Sequence, residues 1–470
     1  MNKRDFLKLA GLGGLAAAGT GAARAAEMEK EAARMAEMAR RVRKPVYNMC
    51  GHAAGKLDTV GIAFVGVGAR GIGAVRRMAK ISNVRIAAVA DIQEKKTGLA
   101  EKALAKTSHR PVVYAGTEDG WKEAVAREDV DLVYICTPWA LHAPMAVAAM
   151  EAGKHVAVEI PAALTLEECW ELVETSERTR RHCVMLENCC YGFFELLTLN
   201  MARQKYFGEV VHVEGAYIHD VFESLFNKSR RHDLWRLREN ERNGNLYPTH
   251  GLGPVSQILD INRGDQYDHL VSMSSDDFMI GKRVAALAEG DAEFRQFRGK
   301  AFRGNMNTTM IRTKKGRTVM LQHDVTSPRP YSRIHLVSGT EGCAQQFPLP
   351  GRIAKGHEWL GEEEVKLLEK QYEPEIVKRM GALAKKVGGH GGMDFLMDWR
   401  LIDCLRNGLP MDMDVYDAAA WSAVLPLSGW SVANRSGAVD FPDFTGGAWR
   451  TNAPVDISMA RGGNTGVVGG

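Results

Sequence analysis

Short runs of β-branched and apolar residues alternate with stretches of helical periodicity from about residue 59 onwards. The runs predict strands at residues 60–65, 84–90, 132–136, 155–158 and 182–186. Strands that alternate with helices at this spacing indicate a parallel sheet built from βαβ units.

The pattern changes to a period of two from about Gly208. Residues 210–217 alternate strictly, and further strand-like runs occupy residues 308–313, 318–323 and 333–337, with Gly or Ser between them. This predicts a second, largely antiparallel sheet with one face against a core and the other face free. Residues 357–436 return to helical periodicity, and we expect the glycine-rich residues 462–470 to be mobile.

The first strand runs directly into a glycine-rich turn with the spacing G-x-G-x-x-G, formed by Gly66, Gly68 and Gly71, and then into a helix at residues 72–78. In such a turn the first glycine permits the tight bend, the second admits a pyrophosphate, and the third allows close packing of helix and strand. The second strand ends near Asp91, where an acid that binds both ribose hydroxyls is expected. The motif therefore predicts a bound dinucleotide, and the acid favours NAD over NADP.

Another strand on the same sheet edge ends in Thr137-Pro138, followed by Trp139 and His142. Ligands of open parallel sheets bind beyond the carboxyl ends of the strands, so these two side chains would flank the nicotinamide half of the cofactor. A Trp and a His in a loop are also common packing residues, and the sequence leaves both interpretations open.

With 470 residues, the chain exceeds what one hydrophobic core supports. We predict an α/β protein with a Rossmann domain and parallel sheet at residues 58–187. Residues 188–450 are predicted to form an α+β domain with an open-faced, largely antiparallel sheet and C-terminal helices, and residues 451–470 a glycine-rich tail. Residues 27–57 are expected to be a surface helix or a flexible arm.

The chain begins with Lys3-Arg4, an apolar stretch rich in Gly and Ala, and a small-residue site at Ala23-Arg24-Ala25. This layout is typical of an export signal. We assign residues 1–26 to a signal of the twin-arginine type, in which Lys3 replaces the first arginine, and expect a periplasmic protein. The apolar stretch is too short and too rich in glycine for a stable membrane span.

Composition and charge exclude several classes of protein. The net charge is only +4 from 61 basic and 57 acidic residues, which disfavours a nucleic-acid partner. Eight cysteines show neither C-x-x-C spacing nor a paired Cys/His pattern, so neither a disulfide framework nor a metal site is expected. The adjacent Cys189 and Cys190 are interpreted as small buried hydrophobic residues.

Several motifs together resemble the glucose-fructose oxidoreductase and inositol dehydrogenase family, which joins a Rossmann domain to an open-faced sheet domain. They are the turn at residues 66–71, Thr137-Pro138, Glu159-Ile160-Pro161 and the strand at residues 210–215. The family's Glu-Lys-Pro motif carries a catalytic lysine, and here Ile160 occupies that position. The ordinary proton relay of these dehydrogenases is therefore absent.

A narrower resemblance is to glycoside hydrolase family 109, which comprises NAD-dependent α-N-acetylgalactosaminidases that are exported and retain their cofactor. It rests on Trp235-Arg236-Leu237-Arg238 and on the blocks at residues 243–254, 327–331 and 388–392, and extends over residues 58–450. It implies cofactor contacts at Ala69, Arg70, Asp91, Trp139, Ala140, Leu141, His142, Glu159, Ile160, Asn188 and Tyr247. It implies sugar contacts at Tyr217, Arg236, Tyr247, Pro248, Thr249, His250 and Tyr331.

The resemblance also implies a reaction sequence: oxidation of the sugar at C3 by NAD, loss of the C2 proton, elimination of the C1 substituent, addition of water and return of the hydride. Such a cycle needs bases for the 3-hydroxyl and for C2, and an acid for the leaving oxygen. We assign the 3-hydroxyl to His250, beside Tyr247, and the leaving group to His390, which stands alone among four glycines. Tyr191 or Tyr331 would serve C2 if a neighbouring charge lowered its pKa.

Two other functions are compatible with the sequence. The first is a periplasmic NAD-dependent sugar oxidoreductase with net turnover of the cofactor. The second is a sugar-binding or structural protein with a relic Rossmann unit, which would bind NAD or sugar without turnover. A homo-oligomer is expected because the open-faced sheet is a common subunit interface in the broader family.

Overall fold

The computed structural model describes residue 30, residues 33–230 and residues 232–468. The predicted export signal at residues 1–26 lies outside the described residues. The first sheet has six parallel strands in the order β3-β2-β1-β4-β5-β6, which is the order of dinucleotide-binding folds. They are β1 (Val60–Val65), β2 (Val84–Asp91), β3 (Val112–Ala115), β4 (Leu132–Ile135), β5 (His155–Val158) and β6 (Cys183–Met185). The predicted parallel sheet is confirmed, and β3 is an additional strand that the pattern did not indicate.

Helices follow the strands of this sheet and cover both of its faces. They are α1 (Ala69–Met78), α2 (Glu94–Leu104), α3 (Gly120–Ala126), α4 (His142–Glu151) and α5 (Leu166–Thr179). Every residue of β1, β4 and β5 is buried, as expected for strands with a helical layer on each side. The carboxyl ends of the strands therefore form one open edge at which a ligand can bind.

The second sheet has nine strands, and the predicted largely antiparallel arrangement is confirmed. Its order is β14-β13-β12-β11-β7-β10-β9-β8-β15, and the β7–β10 pair is parallel while the other pairs are antiparallel. The strands are β7 (Val210–Ile218), β8 (Tyr267–Ser274), β9 (Asn307–Thr313), β10 (Thr318–Asp324), β11 (Leu336–Gly339), β12 (Gly342–Gln345), β13 (Arg352–Lys355), β14 (Glu358–Trp359) and β15 (Val439–Asp440). Its open face carries the exposed apolar side chains Val211, Met273 and Met310.

The remaining helices connect the two sheets. They are α6 (Phe193–Arg203), α7 (Phe222–Leu225), α8 (Trp235–Glu239), α9 (Thr249–Ile258), α10 (Ile280–Gly290), α11 (Ala292–Arg295), α12 (Glu362–Gln371), α13 (Glu375–Val387), α14 (Met393–Asn407) and α15 (Val415–Ala433). Although they come late in the chain, α14 packs against α1 and β1, and α15 packs against α5 and β6. The C-terminal helices thus complete the core beside the parallel sheet.

Helix α9 approaches strand β7 more closely than side chains allow. A Cβ atom on Gly215 would lie 2.4 Å from the carbonyl oxygen of Gly251, and one on Gly251 would lie 2.3 Å from the amide nitrogen of Ala216. The two glycines therefore permit backbone contact between helix and strand. This contact sets the position of the first turn of α9 relative to the end of β7.

Two predictions about local structure are wrong. The strand predicted at residues 333–337 begins only at Leu336, because Ile334 and His335 adopt φ angles of 60° and 38°, which no regular strand accommodates. The tail, as far as Val468, is also held in place: the amide nitrogen of Gly463 and the Thr465 hydroxyl donate to Asp403 at 2.8 Å each.

The N-terminal arm is docked on the protein surface. Residues 33–39 are helical, and the following basic segment forms ion pairs with helix α5. Both terminal nitrogens of Arg43 donate to the fully buried carboxylate of Glu177, which also accepts from the Tyr416 hydroxyl at 2.9 Å. Arg41 pairs with Glu174 one turn earlier on α5, where both side chains remain about 40% exposed.

All eight cysteines lie in the described part of the chain and are free thiols, and five of them are buried. The interpretation of Cys189 and Cys190 as buried residues is confirmed. None of the described helices combines the length and apolar character that a bilayer crossing requires.

The two ion pairs of the arm give a matched test of how it is anchored. We expect Glu177→Ala to lower the free energy of unfolding by about 3–5 kcal/mol, because it leaves the Arg43 charge buried without a partner. The control Glu174→Ala removes a solvent-screened pair on the same helix and should cost less than about 1 kcal/mol. Urea unfolding at neutral pH measures both values, and equal effects would show that the arm does not depend on the buried pair.

Candidate active site

The glycine-rich turn has the geometry that its three glycines predict. Gly66 adopts a φ of +82°, and a Cβ atom there would lie 2.8 Å from the carbonyl oxygen of Cys136. A Cβ atom on Gly71 would lie 2.1 Å from the carbonyl oxygen of Gly66, whereas Gly68 has no atom within 4 Å of its Cβ position. The first and third glycines therefore pack the turn, and the second leaves open space in front of the first turn of α1.

Asp91 lies at the end of β2 and is held by the same turn. Its carboxylate accepts the amide N–H groups of Val67 and Gln93, each at 2.9 Å. Each carboxylate oxygen retains a further lone pair, so the group is oriented and still able to accept two ribose hydroxyls. The Asp91 carboxylate, the open space in front of Gly68 and the N-terminus of α1 thus suit a dinucleotide whose ribose carries both hydroxyls, as in NAD.

The loop after β4 contributes one side chain to the open edge and buries another. Trp139, which is 5% exposed and packs with Leu164, Leu246 and Leu425, begins a 3₁₀ turn that ends at the exposed Leu141. The prediction that His142 contacts the cofactor is wrong: it is 1% exposed, and its ring nitrogens lie 2.7 Å from the Pro161 carbonyl oxygen and 2.8 Å from that of Thr137. His142 instead joins the two loops that border the edge.

A cluster of charged side chains connects the cofactor turn to the C-terminal helices. Arg70, in the first turn of α1, donates to Glu159 at 2.8 Å and to Asp394 at 3.3 Å. Asn188, directly after β6, donates to the other oxygen of Asp394 at 2.6 Å. Three residues predicted to contact the cofactor are therefore brought together, and Asp394 is a partner that sequence reasoning missed.

His390 lies among four glycines, but side-chain contacts hold its ring in place. Its Nδ1 lies 2.9 Å from Asp394 Oδ2, four residues later, and 3.4 Å from a terminal nitrogen of Arg70. Burial raises the pKa of Asp394, but the hydrogen bond from His390 and the charges of Arg70 and Arg77 outweigh burial and lower it overall. The ring of His390 is 58% exposed, so it reaches solvent from a fixed position.

Ile160 occupies the lysine position of the Glu-Lys-Pro motif and precedes a cis proline. Its side chain is 3% exposed. A buried aliphatic side chain neither donates nor accepts a proton, so proton transfer at this edge has to come from other residues.

Three residues predicted to contact the sugar meet where α9 packs against the second sheet. Tyr217, near the end of β7, packs on Tyr247 with ring centroids 4.6 Å apart and on His250 at 5.2 Å. Tyr247 and His250 are themselves 5.1 Å apart. The close contact between α9 and β7 explains this arrangement, because it places the start of the helix directly beside the strand. Pro248 and Thr249 are buried beneath this turn, so only their backbone is available to a ligand.

Arg236 joins the sugar half of the site to the cofactor half. Its guanidinium lies 4.4 Å from the ring centroid of Trp139 and 5.0 Å from that of Tyr247, both within cation–π range. Trp139 and Tyr247 are also stacked, with centroids 5.7 Å apart. The proposed nicotinamide side and the aromatic sugar pocket are therefore neighbouring parts of one site.

His250 is paired with a buried carboxylate that the sequence analysis did not single out. Its Nδ1 lies 2.7 Å from Oε1 of Glu187, which is fully buried. Burial raises the pKa of Glu187, but the charge and hydrogen bond of His250 outweigh burial and lower it overall. The sequence could have indicated Glu187, because this residue lies just after β6 and therefore at the same edge of the parallel sheet as Asp91.

Of the two tyrosines predicted to serve C2, only Tyr331 lies in the pocket. Its hydroxyl accepts a hydrogen bond from Arg333 at 2.9 Å, and its ring lies 6.4 Å from that of Tyr217. The hypothesis for Tyr191 is wrong: it is 5% exposed, donates to Asp412 at 3.1 Å, and belongs to the hydrophobic core behind the site.

His219 is a pocket residue that the sequence analysis missed. Its Nδ1 lies 3.0 Å from the Tyr217 hydroxyl, and its ring lies 5.0 Å from that of Tyr331. Burial, followed by the charges of His250 and His390, lowers the pKa of His219. A neutral imidazole therefore borders the pocket between the two tyrosines. The alternation with a period of two along β7 could have indicated His219, because it places Tyr217 and His219 on the same side of the sheet.

Matched substitutions at Gly68 and Gly71 distinguish the role of the turn in cofactor binding from its role in packing. We expect Gly68→Val to remove most of the bound dinucleotide without changing the stability of the cofactor-free protein, because its Cβ meets only open space. Gly71→Val should instead destabilise the fold by about 1–3 kcal/mol or more, because its Cβ meets backbone. Nucleotide released on denaturation and the melting temperature of stripped protein measure the two effects. Full cofactor content in Gly68→Val would contradict the assignment of the turn.

Two family models together match nearly the whole described chain beyond the arm. Residues 60–187 match the oxidoreductase family with an NAD-binding Rossmann fold, and residues 191–451 match the C-terminal domain of glycosyl hydrolase 109. The fold is also that of solved sugar and polyol dehydrogenases. Scyllo-inositol dehydrogenase from Lactobacillus casei aligns with a TM-score of 0.59 at 13% identity, covering 82% of this chain and 99% of that chain. Levoglucosan dehydrogenase in complex with NADH aligns with a TM-score of 0.58 at 16% identity and the same coverage.

Sequence relatives extend over both domains. A glycosyl hydrolase family 109 protein from Shewanella amazonensis is 48% identical over 411 residues, which cover 86% of this chain and 89% of that protein. One from Shewanella pealeana is 44% identical over 472 residues, which cover 97% of this chain and 99% of that protein. With a site that combines an NAD-type turn with an aromatic pocket, the chain belongs to glycosyl hydrolase family 109.

Proposed function

We propose that this protein is an α-N-acetylgalactosaminidase that keeps one NAD bound and restores it in every catalytic cycle. The observation that carries this proposal is the contact between the two halves of the site, in which Arg236 bridges Trp139 at the cofactor edge and Tyr247 in the sugar pocket. A sugar bound on the aromatic side chains would then present its ring carbons to the cofactor.

The carboxylates at this edge support an oxidative route over ordinary glycoside hydrolysis. Ordinary glycosidases use one free carboxyl group as an acid and a second as a base or nucleophile. Here Glu159 is held by Arg70, Asp394 by Arg70 and His390, and Glu187 by His250. Each carboxylate therefore stabilises a basic side chain and is poorly suited to protonate a leaving group itself.

The residues of the first domain would hold NAD at its two ends. The turn from Gly66 to Gly71 would bind the pyrophosphate, Asp91 the adenosine ribose, and Trp139 and Asn188 the nicotinamide half. When bound, NAD supplies reversible acceptance of a hydride from the sugar carbon that bears the 3-hydroxyl. The chain supplies the proton transfers that accompany this chemistry.

His250 is the proposed base for the 3-hydroxyl. Its Nδ1 is engaged by Glu187, which leaves Nε2 as the nitrogen for the substrate. When Nε2 takes the hydroxyl proton, the ionised carboxylate of Glu187 stabilises the imidazolium that forms. The charge and hydrogen bond of His250 in turn lower the pKa of Glu187, so the two groups stabilise each other's ionised form.

Tyr331 is the proposed base for C2, whose hydrogen becomes acidic once C3 is a ketone. A tyrosine base needs a positive neighbour, and Arg333 provides one at hydrogen-bond distance. Burial raises the pKa of Tyr331 overall, and Arg333 reduces this increase without reversing it. Proton removal by Tyr331 would therefore depend on Arg333 being in place.

His390 is the proposed acid for the leaving oxygen and the group that activates water. Asp394 fixes its ring, and the ring's exposure allows proton exchange with solvent between steps. The buried Ile160 distinguishes this arrangement from the oxidoreductase alternative, since the lysine that would serve net oxidation of a sugar is replaced.

The first test is to incubate the purified protein with nitrophenyl α-N-acetylgalactosaminide in deuterated water without added NAD. We expect phenol release together with deuterium at C2 of the product sugar, because the C2 proton leaves and returns in each cycle. Colorimetry and mass spectrometry measure the two signals. Release without C2 deuterium would indicate direct hydrolysis, and absence of release even with NAD supplied would favour the oxidoreductase.

A second test uses the two tyrosines. We expect Tyr331→Phe to lower phenol release and C2 exchange by about 100-fold or more, the usual contribution of a general base. The matched control Tyr191→Phe removes a buried hydroxyl remote from the pocket. It should cost about 1 kcal/mol of stability and change the rate by less than about threefold. Unchanged C2 exchange in Tyr331→Phe would assign this proton to another residue.

A further inference from the structure

Three side chains with different metal-binding atoms converge behind the aromatic pocket. A carboxylate oxygen of Glu187, Sγ of Cys189 and a ring nitrogen of His250 all lie within 4.8 Å of one another. Glu187 and Cys189 belong to the short segment after β6, where the Glu187 side chain accepts the amide N–H of Cys189 at 3.0 Å. His250 comes from the first turn of α9. The three ligand atoms are therefore held by two rigid elements.

The Glu187 carboxylate is incompletely satisfied. Its Oε1 accepts from His250 and from the Cys189 amide, whereas among the described residues its buried Oε2 forms no regular hydrogen bond and has only the Thr249 hydroxyl beside it. More than about 90% of buried polar groups in proteins have a well-formed hydrogen bond, so this oxygen is available to a ligand. A cation would satisfy this oxygen directly.

The donor set identifies the class of cation. One carboxylate, one imidazole and one thiolate suit zinc-like, soft divalent ions, whereas Mg²⁺ and Ca²⁺ require several oxygen ligands. Bonds of about 2.0–2.3 Å in a tetrahedral site place ligand atoms about 3.3–3.8 Å apart. To reach that geometry, ligand atoms at the 4.8 Å limit need to approach by about 1.0–1.5 Å. His250 Nδ1 and Glu187 Oε1, now 2.7 Å apart, need to separate by about 0.6 Å or more. Three protein ligands leave the fourth position for water or a sugar hydroxyl.

Charge also favours a divalent ion. Ionised Glu187 and the Cys189 thiolate supply two negative charges, and the nearby Arg333 is paired with Glu195. Burial raises the pKa of the Cys189 thiol, with Arg333 opposing the increase. Metal binding therefore releases the thiol proton to solvent and becomes weaker as the pH falls.

We propose that Glu187, Cys189 and His250 bind Zn²⁺ or a similar soft divalent cation, and that this binding inhibits the enzyme. The cation takes Nδ1 of His250 away from Glu187 and withdraws electron density from the ring. Nε2 then becomes a weaker proton acceptor. Binding itself is independent of the proposed function, whereas the inhibition rests on the role of His250 in that function.

The binding test is a titration of the purified, cofactor-loaded protein with Co²⁺ after removal of other metals by a chelator. We expect a thiolate-to-cobalt charge-transfer band in the near ultraviolet for the unmodified protein and for the control Cys190→Ala. Cys190 is equally buried, but its Sγ lies against Gly253 and outside the group. Cys189→Ala should lose the band. Absence of the band in the unmodified protein, or its persistence in Cys189→Ala, would overturn the site.

The inhibition test measures phenol release against Zn²⁺ concentration, each variant relative to its own metal-free rate. We expect Zn²⁺ to inhibit reversibly, Mg²⁺ to have no effect, and Cys189→Ala to need at least about tenfold more Zn²⁺. Cobalt binding without inhibition by Zn²⁺ would overturn the inhibitory role alone. If the protein releases no phenol at all, the proposed function fails while the cobalt titration still decides the metal site.

Discussion

The buried carboxylate of Asp394 is the interaction on which the catalytic edge depends. It is 2% exposed and faces Arg70 at 3.3 Å, Arg77 at 3.4 Å, His390 at 2.9 Å and the Asn188 amide at 2.6 Å. A buried anion is tolerated only with such compensation. Arg70 and Arg77 lie on α1, Asn188 follows β6, and His390 lies among glycines. The Asp394 carboxylate therefore fixes the positions of three elements: helix α1 after the cofactor turn, the segment after β6, and the ring of His390. The C-terminal helix α14 thus supports a site that is mostly encoded much earlier in the chain.

Much of the fold could be predicted because its signals are local. The strands of the parallel sheet and the turn at residues 66–71 follow from short apolar runs and glycine spacing. Local signals failed where long-range contacts decide the backbone. His335 leaves the predicted strand with a positive φ and hydrogen-bonds Thr198 of α6 at 2.8 Å. Residues 463–465 of the glycine-rich tail are held in place because Asp403 accepts hydrogen bonds from Gly463 and Thr465.

The candidate site was predictable in part for the same reason. The family resemblance supplied the side chains that face the ligands, and the structure brings most of them to one edge. It did not supply the partners that orient them, because those partners are distant in sequence. Glu187 precedes His250 by 63 residues, and Asp394 follows Arg70 by 324. Such pairs leave no periodic signal, so they appear only once the topology is known.

With Ile160 at the lysine position, the proposed proton transfer lies in the second domain. The proposed base His250 is on α9, yet its partner Glu187 belongs to the end of the parallel sheet, so the pair is assembled from both domains. The pair can form only if α9 lies directly against β7, and that contact requires glycine at positions 215 and 251, where any Cβ would meet backbone at less than 3 Å. The pairing of His250 with Glu187 therefore depends on Gly215 and Gly251 as much as on His250 itself.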